Sequence, residues 1–521
     1  MDHFITNSQI HEYPIMKQIS IIILLLSTML CFAQNKDYKN LDKAIKYNNS
    51  GNWKKAIKYA EKALKGSPEW SQANLLMASI YIKNNQIKNG ANYLLKGYTK
   101  NATIDIKGIE QVATLYYSNG LYKEALFYSK KIMDEKPEKY KETNKIKRYI
   151  ESSTFAIEAM NNPISFTPTH INNNINSIFS EYVNNISFDG TELLFTRRIQ
   201  NENQKPQEDL YSFNLNDSIL TPLAFNTEKN EGAIAVSPNG SIYIYTACDR
   251  QNSFGGCDLF MRKHTKQEGW SKEYNLGENV NSKAWESQAC FSPDGRYIYF
   301  ISNRAGGVGR DDIWRSEITK EGFLPAENLG PKINSKKNEM SPFLHPDNLT
   351  LYFASDGHIG MGDYDIYISR RLNTNEKWEN LKNIGYPINT YKSENSLIVS
   401  NNGKTAYYTS NKTGFGLEDI FVFDLPEEIR ANKLSQLEIE IITHEKGDEV
   451  VLKNVTFDSN SYELDKTSYT ELSKLISYLK KNPQIELEIQ GHTDNIGDET
   501  DNQVLSELRA KVVFEYLSAK T

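Results

Sequence analysis

Side chains whose types and spacing could do chemistry are few in this chain, and they fall into three groups. The first is an acid and a guanidinium, Asp494 and Arg509, in the string Gly491-His492-Thr493-Asp494-x-x-Gly497-x4-Asn502-x-x-Leu505-Ser506-x-x-Arg509-Ala510. Such a pair can tie to itself, or each member can hold an opposite charge through charge-assisted hydrogen bonds. The second is a set of five glutamates in the recurring pattern Asn-Ser/Thr-x-x-x-Glu: Glu181, Glu231, Glu286, Glu339 and Glu394. A glycosidase needs two particular carboxylates set apart from the rest. Once-per-repeat carboxylates point instead to tight turns held by hydrogen bonds. No Gly-x-Ser-x-Gly elbow occurs, and the histidines stand at unrelated repeat positions, so no catalytic triad is expected. The third group is the cysteines. Cys248 and Cys257 lie nine residues apart on what read as paired strands, so a disulfide can join them, leaving Cys290 buried and free. No cysteine spacing suggests zinc, and no cofactor is expected.

These residues need elements to position them. Val450–Asp458 reads as a strand ending in polar turn residues. Leu472, Leu475, Ile476 and Leu479 put an apolar face on a helix over 468–481, which Pro483 stops. Ile485–Gln490 alternates strictly, which predicts a half-buried strand with Ile485, Leu487 and Ile489 inward. A second helix over about 501–519 turns Leu505, Leu508, Val512 or Val513 and Leu517 toward the sheet. Asp494 then sits at a strand end and Arg509 on the helix that follows.

The Thr-Asp…Gly…Asn…Leu-Ser…Arg-Ala string, with Phe457-Asp458 on the first strand, resembles the OmpA-like peptidoglycan-binding domain. The resemblance covers about 450–520. It implies a ligand, the meso-diaminopimelate of the peptidoglycan stem peptide, whose side chain ends in both an ammonium and a carboxylate. Asp494 would take the ammonium and Arg509 the carboxylate, with Thr493, Asn502, Phe457 and Asp458 shaping the pocket. His492 reads as a turn-packing residue. The family continues past the second helix with a further strand that this sequence does not contain, so an apparently C-terminally truncated α+β domain with an open edge is expected.

Upstream, residues 161–425 are short Tyr/Ile/Phe-rich strands between Gly/Asn/Asp turns. The repeated glutamates are 50, 55, 53 and 55 residues apart. Each precedes a turn such as Ser292-Pro-Asp-Gly295 or Ser237-Pro-Asn-Gly240, where glycine supplies the positive φ. A period near 53 with about four strands per unit is that of a β-propeller, and Asp-Ile/Leu-aromatic at Asp209, Asp258, Asp312, Asp365 and Asp419 resembles TolB-type, WD-like repeats. The last repeat lacks its outer strand. Residues 164–175 align with that missing strand and should seal a ring of five blades.

Residues 34–160 read as helices. Gly51-Asn-Trp53-Lys-Lys-Ala56 returns as Gly120-Leu-Tyr122-Lys-Glu-Ala125, 69 residues on, with Asn85 near the midpoint. This is similar to the tetratricopeptide repeat. Hairpins are expected at 37–68, 69–102 and 103–137, with a capping helix over 138–160 and small Ala56, Gly90 and Ala125 where helices approach closely. Stacked hairpins make a surface suited to an extended protein segment, although the same lysines could simply be solvated.

Before them, the apolar run from Ile19 to Phe32 is too short for a comfortable membrane span. With Lys17 before it and Ala33 after it, residues 1–33 read as a secretory signal, with Met16 an alternative start. Lipidation of Cys31 would want a small residue before it, and Leu30 is not one. No transmembrane span is expected after cleavage.

The whole chain has 521 residues and a net charge of −6, which excludes a protein built wholly around nucleic acid. Residues 36–150 carry +12, residues 151–425 carry −9 and residues 426–521 carry −8. The expected fold is multidomain: all-α hairpins (34–160), a five-bladed all-β propeller (161–425), a linker (426–449) and an OmpA-like domain (450–521). This order resembles a family of periplasmic envelope proteins of the Bacteroidota, some of which tether the type IX secretion machinery to the cell wall. It implies a non-enzymatic, peptidoglycan-associated anchor in the periplasm that recruits envelope or outer-membrane proteins. A propeller hydrolase or a ligand-sensing propeller is the alternative.

Overall fold

The computed structural model describes residues 36–521 except 136–143, 173, 201–205, 266, 268, 413–415, 445–447, 495 and 497. The segment read as a signal lies outside the described residues, as do Pro137 and Gly497. The chain divides into two compact units. The first runs to Ile164 and takes in 359–365 and 385–393; the second holds 165–358, 366–384 and 394–521.

The first unit is built of helix hairpins. They are α1 (Lys36–Asn49) with α2 (Trp53–Leu64), α3 (Ser71–Lys83) with α4 (Ile87–Gly97), and α5 (Ile106–Tyr117) with α6 (Tyr122–Glu135); α7 (Asn144–Asn161) follows. The capping helix expected over 138–160 is described from Asn144 on; 138–143 lie outside the described residues. Gly51, Asn85 and Gly120 occupy the hairpin turns at φ 74°, 57° and 70°, the left-handed region that glycine and asparagine tolerate. Ala56 and Ala125 are fully buried. A Cβ on Gly90 would lie 2.5 Å from Ile82 Cγ1, so glycine lets the two helices of the second hairpin touch. Each hairpin also carries a stacked tyrosine pair: Tyr47–Tyr59, Tyr81–Tyr93 and Tyr116–Tyr128, with centroids 5.4, 5.4 and 5.8 Å apart. This recurrence repeats every 34–35 residues in the sequence and was not picked out there. A short β-hairpin, β1 (Thr99–Lys100) with β2 (Thr103–Ile104), precedes α5.

The second unit contains a five-bladed β-propeller. Blade 1 is β4 (Ser180–Ile186), β5 (Glu192–Gln200), β6 (Pro206–Asn214) and β7 (Leu220–Pro222). Blade 2 is β8 (Glu231–Val236), β9 (Ile242–Cys248), β10 (Cys257–Thr265) and an outer strand split into β11 (Gly269–Trp270) and β12 (Tyr274–Asn275). Blade 3 repeats that plan with β13 (Glu286–Phe291), β14 (Tyr297–Ser302), β15 (Asp312–Thr319), β16 (Gly322–Phe323) and β17 (Glu327–Asn328). Blade 4 is β18 (Glu339–Leu344), β19 (Thr350–Ser355), β20 (Asp365–Arg370) and β21 (Glu379–Asn383). Blade 5 is β22 (Glu394–Val399), β23 (Thr405–Ser410) and β24 (Asp419–Asp424). Its outer strand is β3 (Thr169–His170), which pairs antiparallel with β24 through Phe421–His170 and Val422–Thr169. The segment before blade 1 thus completes blade 5.

The repeated motif explains how the blades are stitched. In four blades the motif asparagine, Asn176, Asn226, Asn281 or Asn334, accepts from the backbone N–H of the preceding blade's third strand at 2.8–2.9 Å. Asn176 does so on Ile420 and closes the ring. The motif glutamates are fully buried. Glu181, Glu231 and Glu286 each accept from the Ser or Thr four residues earlier, by hydroxyl and by N–H. A basic side chain faces each glutamate: Arg197, Arg250, Arg304, His358 and Lys412. These carboxylates hold turns, and that is why they recur. A disulfide joins Cys248 to Cys257 across β9 and β10, and Cys290 is a buried free thiol.

Beyond the propeller, residues 426–449 are more than a linker: they include a 3₁₀ turn (Glu427–Ile429) and α8 (Gln436–Thr443). The C-terminal domain follows with α9 (Lys466–Lys481) and α10 (Glu499–Ser518). Leu472, Leu475, Ile476, Val513 and Leu517 form its core with Leu437 of α8. Neither 450–458 nor 485–490 forms a ladder strand among the described residues; the bridge recorded there is Phe457 with Leu464. A ladder needs a neighbour presenting N–H and C=O groups in register. Here both segments are instead held by side chains packed on α9 and α10, so Ile489 reaches the core while Leu487 is 45% exposed.

Candidate functional site

The geometry around Arg509 begins with Gly491. A Cβ there would lie 2.2 Å from Ser506 O and 3.1 Å from Ala510 N, so glycine lets the 491–494 segment run against the backbone of α10. This close approach links Gly491, Ser506 and Ala510, three members of the sequence string. Asp498 caps α10 by accepting from Thr500 N at 2.8 Å, and those backbone donors hold its carboxyl below the usual range. Asn502, in the first turn, donates to Ile496 O at 3.1 Å, two residues after Asp494.

Arg509 lies about two turns beyond Asn502 on the same face of α10. Its guanidinium stacks 5.0 Å over Phe457. It donates from Nε to Ser461 O (3.0 Å), from Nη1 to His492 O (3.2 Å) and from Nη2 to Asp458 O (3.2 Å). Of its five N–H groups three are thus spent on carbonyls. Among the described residues one N–H on each Nη meets no acceptor, enough for the two-pronged grip that guanidinium makes on a carboxylate. The turn supplying two of the carbonyls is closed by Ser461 N to Asp458 O at 3.1 Å, with Asn460 at φ 58°.

Asp494 is exposed, and its Oδ1 accepts from Ile496 N at 3.3 Å. Among the described residues no ion pair joins Asp494 to Arg509. The two are nevertheless neighbours through His492, whose carbonyl Arg509 holds two residues before the acid. Thr493 is half-buried between them in sequence, and Asp458 is exposed beside Phe457. The structure therefore brings Phe457, Asp458 and His492 onto Arg509 directly, while Asn502 and Asp494 are joined to each other through Ile496. An exposed acid two residues from a carbonyl that a guanidinium holds can share with it a small molecule carrying an ammonium and a carboxylate. Ser461 was not singled out in the sequence, and His492 was read as turn packing. Both act through backbone carbonyls, which no side-chain pattern announces. Among the described residues no group of acidic, histidine or cysteine side chains is placed to hold a metal ion, and no helix is long and apolar enough to cross a membrane.

Over 64 residues the chain is 34% identical to outer membrane porin F of Pseudomonas aeruginosa, which is 12% of this chain and 18% of that protein. The chain thus matches under a fifth of that relative's length. Among solved structures, a putative TolB from Agrobacterium tumefaciens is 16% identical with a TM-score of 0.32, covering 47% of this chain and 78% of that one. The nidogen/laminin complex gives 13% identity and a TM-score of 0.30 over 47% of this chain and 76% of that one. The match to a defined family falls on the residues that carry Asp494 and Arg509: 456–521 match the OmpA family.

Proposed function

We propose that this chain is a non-enzymatic envelope scaffold that grips peptidoglycan through its C-terminal domain. The observation that carries the reading is Arg509, seated on Phe457 and three carbonyls, one of them that of His492, two residues before the exposed acid Asp494. The ligand is the doubly charged end of a diaminopimelate stem. Asp494 takes the ammonium and Arg509 the carboxylate, each contact contributing about 1.5–3 kcal/mol. The propeller and the helical hairpins, read as tetratricopeptide repeats, recruit envelope or outer-membrane proteins in the periplasm after removal of the signal segment. By the resemblance of the domain order, secretion machinery of the type IX kind is the partner class. A purely binding role for the propeller is supported by the use of its repeated glutamates in blade turns.

The test is co-sedimentation with purified sacculi. Asp494 makes one weak backbone contact, so Asp494→Ala should lose pelleting while its circular dichroism and melting stay as in the parent. Undiminished pelleting of a folded Asp494→Ala chain would overturn the reading.

A further inference from the structure

The propeller turn between the first two strands of each blade ends on glycine in four blades: Gly190, Gly240, Gly295 and Gly403, at φ 74°, 73°, 66° and 70°. Blade 4 has Asn348 there instead, at φ 59°. Asparagine tolerates this region less well than glycine, so its side chain needs a use, and the structure shows one. Asn348 Nδ2 donates to Asp294 Oδ2 (2.9 Å) and to Asn482 Oδ1 (3.3 Å), while its Oδ1 accepts from Arg371 Nη2 (2.9 Å). Asn482 is the C-cap of α9 in the C-terminal domain. Gln484 Nε2 donates to the same Asp294 Oδ2 (3.0 Å), and its Oε1 accepts from Thr374 Oγ1; Thr374 N donates to Lys481 O (3.0 Å). Asn348 and Asn482 are 3% and 2% exposed, so this is a buried polar network, the kind that specifies one geometry when its members are satisfied.

A second connection runs beside it. Tyr352 Oη donates to Ile429 O (2.7 Å), Arg370 Nη2 to Arg430 O (2.8 Å), and Asn432 donates from both N and Nδ2 to Asp347 Oδ2 at 3.0 Å. Leu425, Ile429, Ala431 and Leu434 are buried. Downstream, Glu438 of α8 pairs with Lys481 at 3.1 Å.

At its other end α9 meets the candidate site. Its N-cap Asp465 accepts from Thr456 Oγ1 (2.6 Å), and Thr456 N donates to Ser468 Oγ (3.0 Å), immediately before Phe457 and Asp458. Sixteen helical residues span about 24 Å. We propose that α9 is a strut, and that the propeller and the C-terminal domain form one rigid body. A ligand held at Asp494 and Arg509 then fixes both the height and the facing of the propeller. A flexible tether would set only a maximum distance.

The test is a distance distribution between spin labels at Glu321→Cys on the propeller and Lys511→Cys on α10, in the full chain with Cys31→Ser. Cys290 stays unlabelled, because burial pushes its thiol up to about 12. The parent should give one narrow peak, and Asn348→Gly with Asn482→Ala and Gln484→Ala should at least double its width. A broad or multiple parent distribution, or a variant as narrow as the parent, overturns the proposal. Should the triple variant fail to fold, Asn348→Gly alone, which restores the turn of the other four blades, is read by the same criterion. No wall ligand is present, so the result is independent of peptidoglycan binding.

Discussion

Blade 4 departs from its neighbours at one charged position, and replacing His358 by arginine should change the pH dependence of the propeller. In blade 3, Arg304 pairs with Glu286 at 3.1 Å, donates to Val280 O, and stacks on Phe300 and Trp314 at 5.3 and 5.2 Å. In blade 4 the same places hold His358, Glu339, Ile333 O, Phe353 and Tyr367, with His358 Nε2 3.9 Å from Glu339 and 2.7 Å from Ile333 O. The surroundings therefore already suit a guanidinium. Burial raises the Glu339 carboxyl to about 7, against hydrogen bonds from Ser335 and Ser355, and Asp312 adds to the rise. Native Glu339 thus keeps its proton up to about pH 7, while the unfolded chain releases it near 4.5. Its contribution is fully present below pH 4.5 and is lost as pH rises through 7. A change from 4.5 to about 7 corresponds to about 3 kcal/mol. His358→Arg supplies a permanent cation, should lower the native value, and should recover much of that loss at pH 8 while changing little at pH 4.5. Calorimetric melting from pH 4.5 to 8 reads this as curves that diverge upward in pH, at roughly 2–4 °C per kcal/mol. Parallel curves would refute the idea that this one carboxylate sets the slope.

Three further outcomes are expected. Arg509→Ala should lose sacculus binding like Asp494→Ala, but should also loosen the turn over 458–461, visible as faster amide exchange there. Gly491→Ala forces a Cβ to within 2.2 Å of Ser506 O and should destabilise the C-terminal domain by roughly 1–3 kcal/mol, read as earlier proteolysis of that domain. Removing the disulfide with Cys248→Ala and Cys257→Ala frees a loop of about ten residues and should cost blade 2 about 2–3 kcal/mol in the chain-entropy account. Denaturant melts compare that variant with the parent.

The sequence by itself determined what is local and periodic. Five copies of one blade were legible because turn glycines, motif asparagines and buried glutamates act within a few residues or across one blade boundary. The ring closure through 164–175 followed from the same period. The hairpin turns at Gly51, Asn85 and Gly120 and the apolar face of α9 were legible for the same reason. In the C-terminal domain the residue types around Asp494 and Arg509 stood out, yet their partners did not. Arg509 is held by the carbonyls of Asp458, Ser461 and His492, and a carbonyl is offered by every residue, so only the fold can say which three are in reach. Tertiary structure likewise decided that 450–458 and 485–490 stay outside a ladder, because a strand exists only with a partner in register. It also gave Asn348 its use. A lone asparagine in a turn reads as a tolerated substitute for glycine, until Asn482, 134 residues later, is brought to 3.3 Å from it.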